Sequence, residues 1–238
     1  MMERLGIISG TIPLREKGVL RNPEEKRIET ACGNALVLVG EDIAFIPRHG
    51  SEPGGYILPH LINNAANFLA LKSLGVREVI GINSTGSLKK NLPPGTLVVP
   101  DDFIMLHPGP AVFSTPAAHL TPQLSEEVRR KFLAAVAACG LPAVDGGVYW
   151  QTAGPRFETK AEIRFMSQFA DLVGMTMAAE AIVARELAME YAALCSVDNY
   201  AHGLVDKELS MAEVLQCARR NGETIAGIVK CYVERRKG

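Results

Sequence analysis

Apolar positions along this chain follow two different periods. Short apolar runs at residues 5–9, 35–39, 43–47, 76–82, 96–99, 147–152 and 191–197 have the length and composition of buried strands. Over residues 61–74, 125–139, 160–169, 177–189 and 210–235 the apolar positions recur at helical spacing instead. Gly75 stops the first of these helices, Glu41-Asp42 joins two strands into a pair, and Pro93-Pro94-Gly95 makes a turn. Residues 107–122 contain Pro108, Pro110, Pro116 and Pro122 without any period and read as a long loop, the kind of segment in which function often concentrates. Strands alternating with helices predict an α/β layer sandwich around a mixed sheet. Ligands of such sheets gather where strands end.

Composition narrows the class. The 238 residues can bury one substantial core and no linker-like shift divides them, so a single domain spanning 1–238 is expected. Lys plus Arg number 25 against 26 Asp plus Glu, which leaves no global field for nucleic acid or an anionic membrane and points to a small-molecule partner. Neither a spanning segment nor a signal peptide is recognisable, and a cytoplasmic protein is expected. Cys32, Cys139, Cys195, Cys217 and Cys231 form no CxxC pair and are odd in number, which disfavours both a disulfide framework and a zinc site.

Candidate chemistry lies at the strand ends. Ser9-Gly10-Thr11 and Asn83-Ser84-Thr85-Gly86-Ser87 offer small residues whose backbone N–H groups and hydroxyls can approach an oxyanion. Arg48-His49-Gly50 adds a guanidinium able to clasp two phosphate oxygens and an imidazole able to donate one more hydrogen bond. Taken singly, each segment also reads as an ordinary turn; three of them after three strands could converge on one anion.

The stretch Thr152-Ala153-Gly154-Pro155-Arg156-Phe157-Glu158-Thr159 sets an aromatic face, Phe157, beside a carboxylate, Glu158. A carboxylate accepts from N1–H of a 6-oxopurine, whereas adenine, with an unprotonated N1, would set two acceptors against each other. Glu158 alone reads equally as a helix-start acid. The Asn199 amide can donate to O6 and accept from a protonated N7, or simply make an Asx turn. Met175 and Thr176 offer an apolar sugar contact and another phosphate hydroxyl, or plain core packing.

As an ordered set these residues resemble the trimeric purine nucleoside phosphorylases, and more closely their methylthioadenosine phosphorylase branch. The likeness runs from Gly6-Ile7-Ile8-Ser9-Gly10-Thr11 through Arg48-His49-Gly50, Asn64-Ala65-Ala66-Asn67, Thr85-Gly86-Ser87-Leu88 and Pro94-Gly95 to Gly154-Pro155-Arg156-Phe157 and Gly174-Met175-Thr176. It implies a three-layer α/β/α sandwich around a mixed, twisted sheet. It also implies phosphate contacts from Thr11, Arg48, His49, Ser84 and Thr176, stacking on Phe157 and a sugar contact from Met175. That branch has Asp-Tyr-Asp where this chain has Asn199-Tyr200-Ala201, so the base pocket is instead similar to that of enzymes acting on inosine and guanosine. In those enzymes a glutamate and an asparagine, here Glu158 and Asn199, hold the 6-oxopurine.

The activity so implied is phosphorolysis of inosine or guanosine to free base and ribose 1-phosphate, with Asn199, Glu158 and His49 as the catalytic set. Phosphate is then a co-substrate, no metal or other cofactor is needed, and the assembly is a homotrimer or a dimer of trimers. Phosphorolysis of S-methyl-5′-thioinosine or methylthioadenosine, a hydrolytic nucleosidase and a nucleoside-binding sensor are the alternatives. Residues 51–56 and 107–119 depart from the resembled pattern, and they bear on the sugar 5′ substituent.

Overall fold

The computed structural model describes residues 3–12, 14, 18–50, 55–113, 119–206 and 209–236. Two long parallel strands, β5 (Glu78–Ser87) and β11 (Glu190–Tyr200), form the centre of its sheet. Strand β1 (Leu5–Ser9) lies parallel to the first half of β5, with β4 (Ile43–Pro47) parallel beyond it. The antiparallel strands β3 (Gly33–Val39) and β2 (Glu24–Thr30) complete that wing. Along the second half of β5 a different neighbour takes over, the antiparallel β10 (Leu172–Gly174), followed by β9 (Val148–Gln151) and β7 (Asp102–Met105). On the far edge of β11 lie β6 (Leu97–Val99) and then β8 (Val144–Asp145).

The handover on β5 opens a gap in the sheet. Ile82 pairs with Ser9 at the end of β1, and Gly86 pairs with Val173 of β10. Asn83, Ser84 and Thr85 between them have no strand on that side, so the polar groups of this stretch turn to side chains and to whatever occupies the gap.

Helices cover both faces. On one, α1 (Asn64–Ser73) and α4 (Met177–Glu186) pack against Ile8, Ala193 and Cys195; on the other, α2 (Glu126–Ala138) and α5 (Met211–Arg235) cover Leu5, Ile7, Ala192 and Leu194. Alternation along each strand supplies both cores. Phe132 and Tyr232, with ring centroids 4.9 Å apart, lock α2 to α5. A smaller cluster of Ile163, Met166, Trp150 and Val173 seats α3 (Lys160–Met166). The result is the three-layer α/β/α sandwich expected.

The helix ends follow local rules. Asn63 caps α1 by accepting from Ala66 N at 2.9 Å, and Gly75, at φ +78°, ends it. On α3, Thr159 and Glu162 form a capping box.

Several strands depart from the sequence reading. β2 is rich in charge (Glu24, Glu25, Lys26, Arg27) because it is an edge strand, held in register by its hairpin with β3 rather than by burial. β7, β8 and β10 are two to four residues long, too short to show a period. Residues 83–87, which read as a loop, are the second half of β5. Residues 198–200, which read as following a strand, lie within β11, beside a register irregularity between Val197 and Asn199. Polar, glycine-bearing runs carry no strand signature of their own; pairing with a long neighbour keeps them extended.

Residues 51–54 and 114–118, parts of the two segments that depart from the resembled family, lie outside the described residues. Among the described residues no helix is long and apolar enough to cross a membrane. All five cysteines are free thiols.

Gly81, in β5 below the gap, is required by close approach: a Cβ there would lie 2.2 Å from the Tyr191 hydroxyl and 3.0 Å from a Glu180 carboxylate oxygen. Gly81→Ala is expected to lower the unfolding free energy by about 1–3 kcal/mol. Gly227→Ala in α5, where nothing lies within 4 Å of the added Cβ, should raise it by up to about 1 kcal/mol. Urea titrations of both variants check the pair.

Candidate active site

A pocket enclosing about 810 Å³ of space, open mouth included, fills the gap in the sheet. Every site residue anticipated from the sequence lines it. Thr11 follows β1, Arg48 and His49 follow β4, and Ser84 sits in the stretch of β5 that is paired with β11 but has no strand on its other side. Phe157 and Glu158 come from the β9–α3 connection, Met175 and Thr176 from the β10–α4 connection, and Asn199 and Ala201 from the end of β11.

Arg48 dominates one end of the pocket. It is 3% exposed, and its Nη2 donates to Ile8 O at 2.8 Å and to Ile82 O at 3.1 Å. Nη1 donates to Thr176 Oγ1 at 2.8 Å, while Nε lies 3.1 Å from Glu180 Oε1, off the ideal hydrogen-bond line. Glu180 is fully buried, and its other oxygen accepts from the Tyr191 hydroxyl at 2.7 Å. Burial raises the Glu180 carboxyl above its ordinary pKa, and the Arg48 charge opposes that rise. The expected two-oxygen clasp by Arg48 is therefore corrected. A guanidinium has five N–H groups; three are bonded to protein acceptors, the Nε hydrogen faces Glu180 as an ion pair without hydrogen-bond geometry, and a single Nη1 hydrogen remains for a ligand.

Thr176 is the consequence. Its Oγ1 accepts from Arg48 Nη1 and from Asn83 Nδ2, both at 2.8 Å. A hydroxyl has two lone pairs and one hydrogen, so both acceptor positions are filled and the O–H is left to donate to an acceptor in the pocket. Thr176 is also the N-cap residue of α4, yet its side chain makes no capping bond. The Tyr149 hydroxyl serves the Thr176 N–H at 3.2 Å, and Gln151 Oε1 serves the Ala179 N–H at 3.0 Å. Thr176, at the positive end of the α4 dipole, lines the pocket, which favours an anion beside it.

His49 keeps its place but not its expected role as donor. Its Nδ1 lies 2.8 Å from Ile57 O and its ring stacks on Tyr56 at 4.7 Å. Burial lowers its pKa to about 4; the Ile57 carbonyl opposes this and the Arg48 charge adds to it. A carbonyl oxygen only accepts, so the neutral ring carries its hydrogen on Nδ1 and presents a lone pair at Nε2. Gly10 is explained by the same ring, since a Cβ there would lie 2.3 Å from His49 Cδ2. Asp198 lies near Ser84; burial raises its pKa, and Ser84, Ser196 and Asn221 oppose that rise. Ser196 Oγ and Asn221 Nδ2 donate to Asp198 Oδ1, at 2.7 and 2.9 Å.

Glu158 lines the pocket from the β9–α3 connection. It is 8% exposed, and Thr152 Oγ1 donates to its Oε1 at 2.7 Å. Arg156 forks onto Glu162 at 2.9 and 2.7 Å. Asn199 Nδ2 donates to Tyr200 O at 2.9 Å. Gly86 lets the Asn199 amide approach, because a Cβ at that glycine would lie 3.1 Å from Nδ2. Phe157, 38% exposed, stands at the mouth.

A third wall, Leu209, Met211 and Val214 at the start of α5, was not anticipated, and neither were Tyr56 nor Pro59. The amphipathic period of α5 marks Val214 as apolar but does not say that the helix start reaches a pocket built elsewhere. Glu180 was also missed, and Asn83 and Thr152, although they lie in segments singled out from the sequence, were given no role as partners, since only side-chain geometry shows what they hold.

Residues 4–234 match the model of the phosphorylase superfamily. The chain belongs to that family. A relative from Archaeoglobus fulgidus named "Probable 6-oxopurine nucleoside phosphorylase" is 43% identical over 236 residues, covering 97% of this chain and 96% of its own. The "6-oxopurine nucleoside phosphorylase" of Pyrococcus furiosus is 35% identical, covering 96% and 91%. A Methanothermobacter thermautotrophicus relative named "Probable S-methyl-5'-thioinosine phosphorylase" is 38% identical, covering 96% and 83%. Among solved structures, a variant of the adenosine/methylthioadenosine phosphorylase of Schistosoma mansoni superposes with a TM-score of 0.88 at 24% identity, covering 99% of this chain and 92% of that one. That likeness shows the fold.

The depressed pKa of His49 has a sign that can be measured. Between its unfolded value of 6.5 and its folded value of about 4, the unfolded chain binds a proton that the folded chain does not. Stability therefore falls as pH drops through 6.5. Thermal melts between pH 7 and pH 4.5 are expected to show a shallower loss for His49→Gln than for the unaltered protein.

Proposed function

We propose that this protein splits 6-oxopurine nucleosides, inosine and guanosine, by phosphorolysis, releasing the free base and ribose 1-phosphate. One observation carries the reading. A single pocket holds a hydroxyl obliged to donate, Thr176, at a helix N-terminus, together with a carboxylate and a carboxamide, Glu158 and Asn199. The first arrangement suits inorganic phosphate and the second a 6-oxopurine. The relatives named 6-oxopurine nucleoside phosphorylase support the same base class.

In this reading phosphate rests on the remaining Arg48 Nη1 hydrogen, the Thr176 hydroxyl and the α4 dipole, with Thr11 and Ser84 beside it. The P–OH of hydrogen phosphate donates to His49 Nε2. Phosphate oxygen attacks C1′ as the C1′–N9 bond breaks, and the bonding pair passes into the purine. The sugar becomes oxocarbenium-like, and the anion beneath it stabilises that charge. The departing purine anion takes a proton from solvent at N7; the Asn199 amide accepts from that N7–H and donates to O6, while Glu158 accepts from N1–H. Adenosine would set its bare N1 against Glu158. Phe157 covers the base and Met175 the sugar. No metal or organic cofactor enters this route.

Tyr56, Ile57, Leu58 and Leu61 leave an exposed apolar rim near the pocket. A homotrimer, or a dimer of trimers, would cover it.

A second reading is favoured by the α5 wall. Leu209, Met211 and Val214 offer a 5′-hydroxyl no strong hydrogen-bonding group and suit a methylthio substituent, in line with the relative named "Probable S-methyl-5'-thioinosine phosphorylase".

Release of free base from inosine is expected to require phosphate; release without it would indicate a hydrolase, and no release from any nucleoside a binding protein. Glu158→Ala should lower kcat/KM for guanosine by roughly a hundredfold, with a smaller loss for a nucleoside lacking N1–H. Equal losses would remove the role given to Glu158. If the 5′ reading is correct, S-methyl-5′-thioinosine should exceed inosine in kcat/KM by roughly tenfold or more, and Met211→Gln should shrink that ratio.

A further inference from the structure

We propose that Thr152 is a positioning residue for base selection: its hydroxyl grips one oxygen of Glu158 so that the other is aimed at the purine N1–H. The inference rests on the reading of Glu158 as the acceptor of the base.

Thr152 directly follows β9, and its own N–H donates to Gly174 O at 2.9 Å, which ties it across to the end of β10. The place of its hydroxyl is thus set by the sheet and not by the connection that carries Glu158. Oγ1 lies 2.7 Å from Glu158 Oε1, and its other acceptor, Gly174 O, is at 3.5 Å. A hydroxyl has one hydrogen, and an ionised carboxylate only accepts. The shorter contact is therefore a charge-assisted bond from Thr152 to Glu158.

The neighbourhood removes the obvious competitor. Arg156, two residues before Glu158, is forked onto Glu162. Glu162 also accepts from the Thr159 N–H at 2.7 Å, so the capping box of α3 holds the acid that holds the arginine. Were Arg156 free to swing onto Glu158, a cation would fill the acceptor meant for the base. Glu158 is instead left with a neutral, fixed donor on one oxygen. At 8% exposure, a carboxylate rotated away from that donor would be poorly solvated. Thr152 thus limits Glu158 to one orientation, and selection between N1–H and a bare N1 depends on that orientation.

The test compares Thr152→Val, which keeps the shape and removes the hydroxyl, with Thr152→Ser, which restores the donor. The readouts are kcat/KM for inosine and for adenosine, and KM for phosphate. Thr152→Val is expected to lower kcat/KM for inosine by about tenfold or more, the scale of a hydrogen bond to a charged group, and to shrink the inosine-to-adenosine ratio. Phosphate KM should stay within about twofold, since Arg48, Thr176 and His49, the groups proposed to hold the anion, are fixed by partners other than Thr152. Thr152→Ser should recover most of the selectivity. Thr152→Ala, read in the same way, serves if the valine variant does not fold.

An unchanged ratio in a folded Val or Ala variant overturns the proposal, and so does a parallel loss with both nucleosides and with phosphate, which would mark general damage. Unaltered protein that does not cleave inosine overturns the functional reading itself and this proposal with it. Cleavage by the unaltered protein with selectivity indifferent to Thr152 overturns the proposal alone.

Discussion

Burial of the Arg48 guanidinium is the constraint around which the rest of the structure is arranged. A cation at 3% exposure costs several kcal/mol unless it is paired and its N–H groups are satisfied. Its partners are the carbonyls of Ile8 and Ile82, the carboxylate of Glu180 and the hydroxyl of Thr176. They come from β1, β5, α4 and the connection between β10 and α4, the elements that meet where β5 exchanges one neighbour for another. The gap in the sheet and the satisfaction of Arg48 are thus a single arrangement.

That arrangement decides how the pocket can attract an anion. Glu180 offsets the charge of Arg48 and His49 is neutral, so net charge is a weak source of affinity. What remains is directional: one Nη1 hydrogen, the Thr176 O–H and the start of α4. Arg156 is matched to Glu162 in the same manner, which leaves Glu158 with a neutral partner, Thr152. Arg48 and Arg156 are therefore each paired within the protein, and what the pocket presents is a set of fixed hydrogen-bond donors and acceptors, which discriminate between ligands better than a general field does.

Much of the site was legible because its residues sit at breaks in the apolar pattern. Arg48-His49 after β4 and Thr176 before α4 interrupt runs that are otherwise core, and Glu158 stands just before the capped start of α3. Such interruptions at strand and helix ends are visible in one dimension. The polar half of β5 was not: residues 83–87 look like a turn, and only pairing along β11 keeps them extended. The α5 wall was hidden for a related reason, since Leu209, Met211 and Val214 resemble the start of any amphipathic helix.

The linear order of residues was enough to specify the layers, because burial at period 2 and at period 3.6 depends on nearest neighbours along the chain. It was also enough to identify which polar residues stand where those periods break. The directions of those polar groups were decided by packing. Arg48 turns three of its N–H groups onto protein acceptors, His49 turns a lone pair rather than an N–H toward the pocket, and Thr152 reaches Glu158, because a buried polar atom bonds with whatever the fold brings within reach. Those neighbours come from strands and helices far apart in the chain, and no spacing rule links them before the sheet has formed.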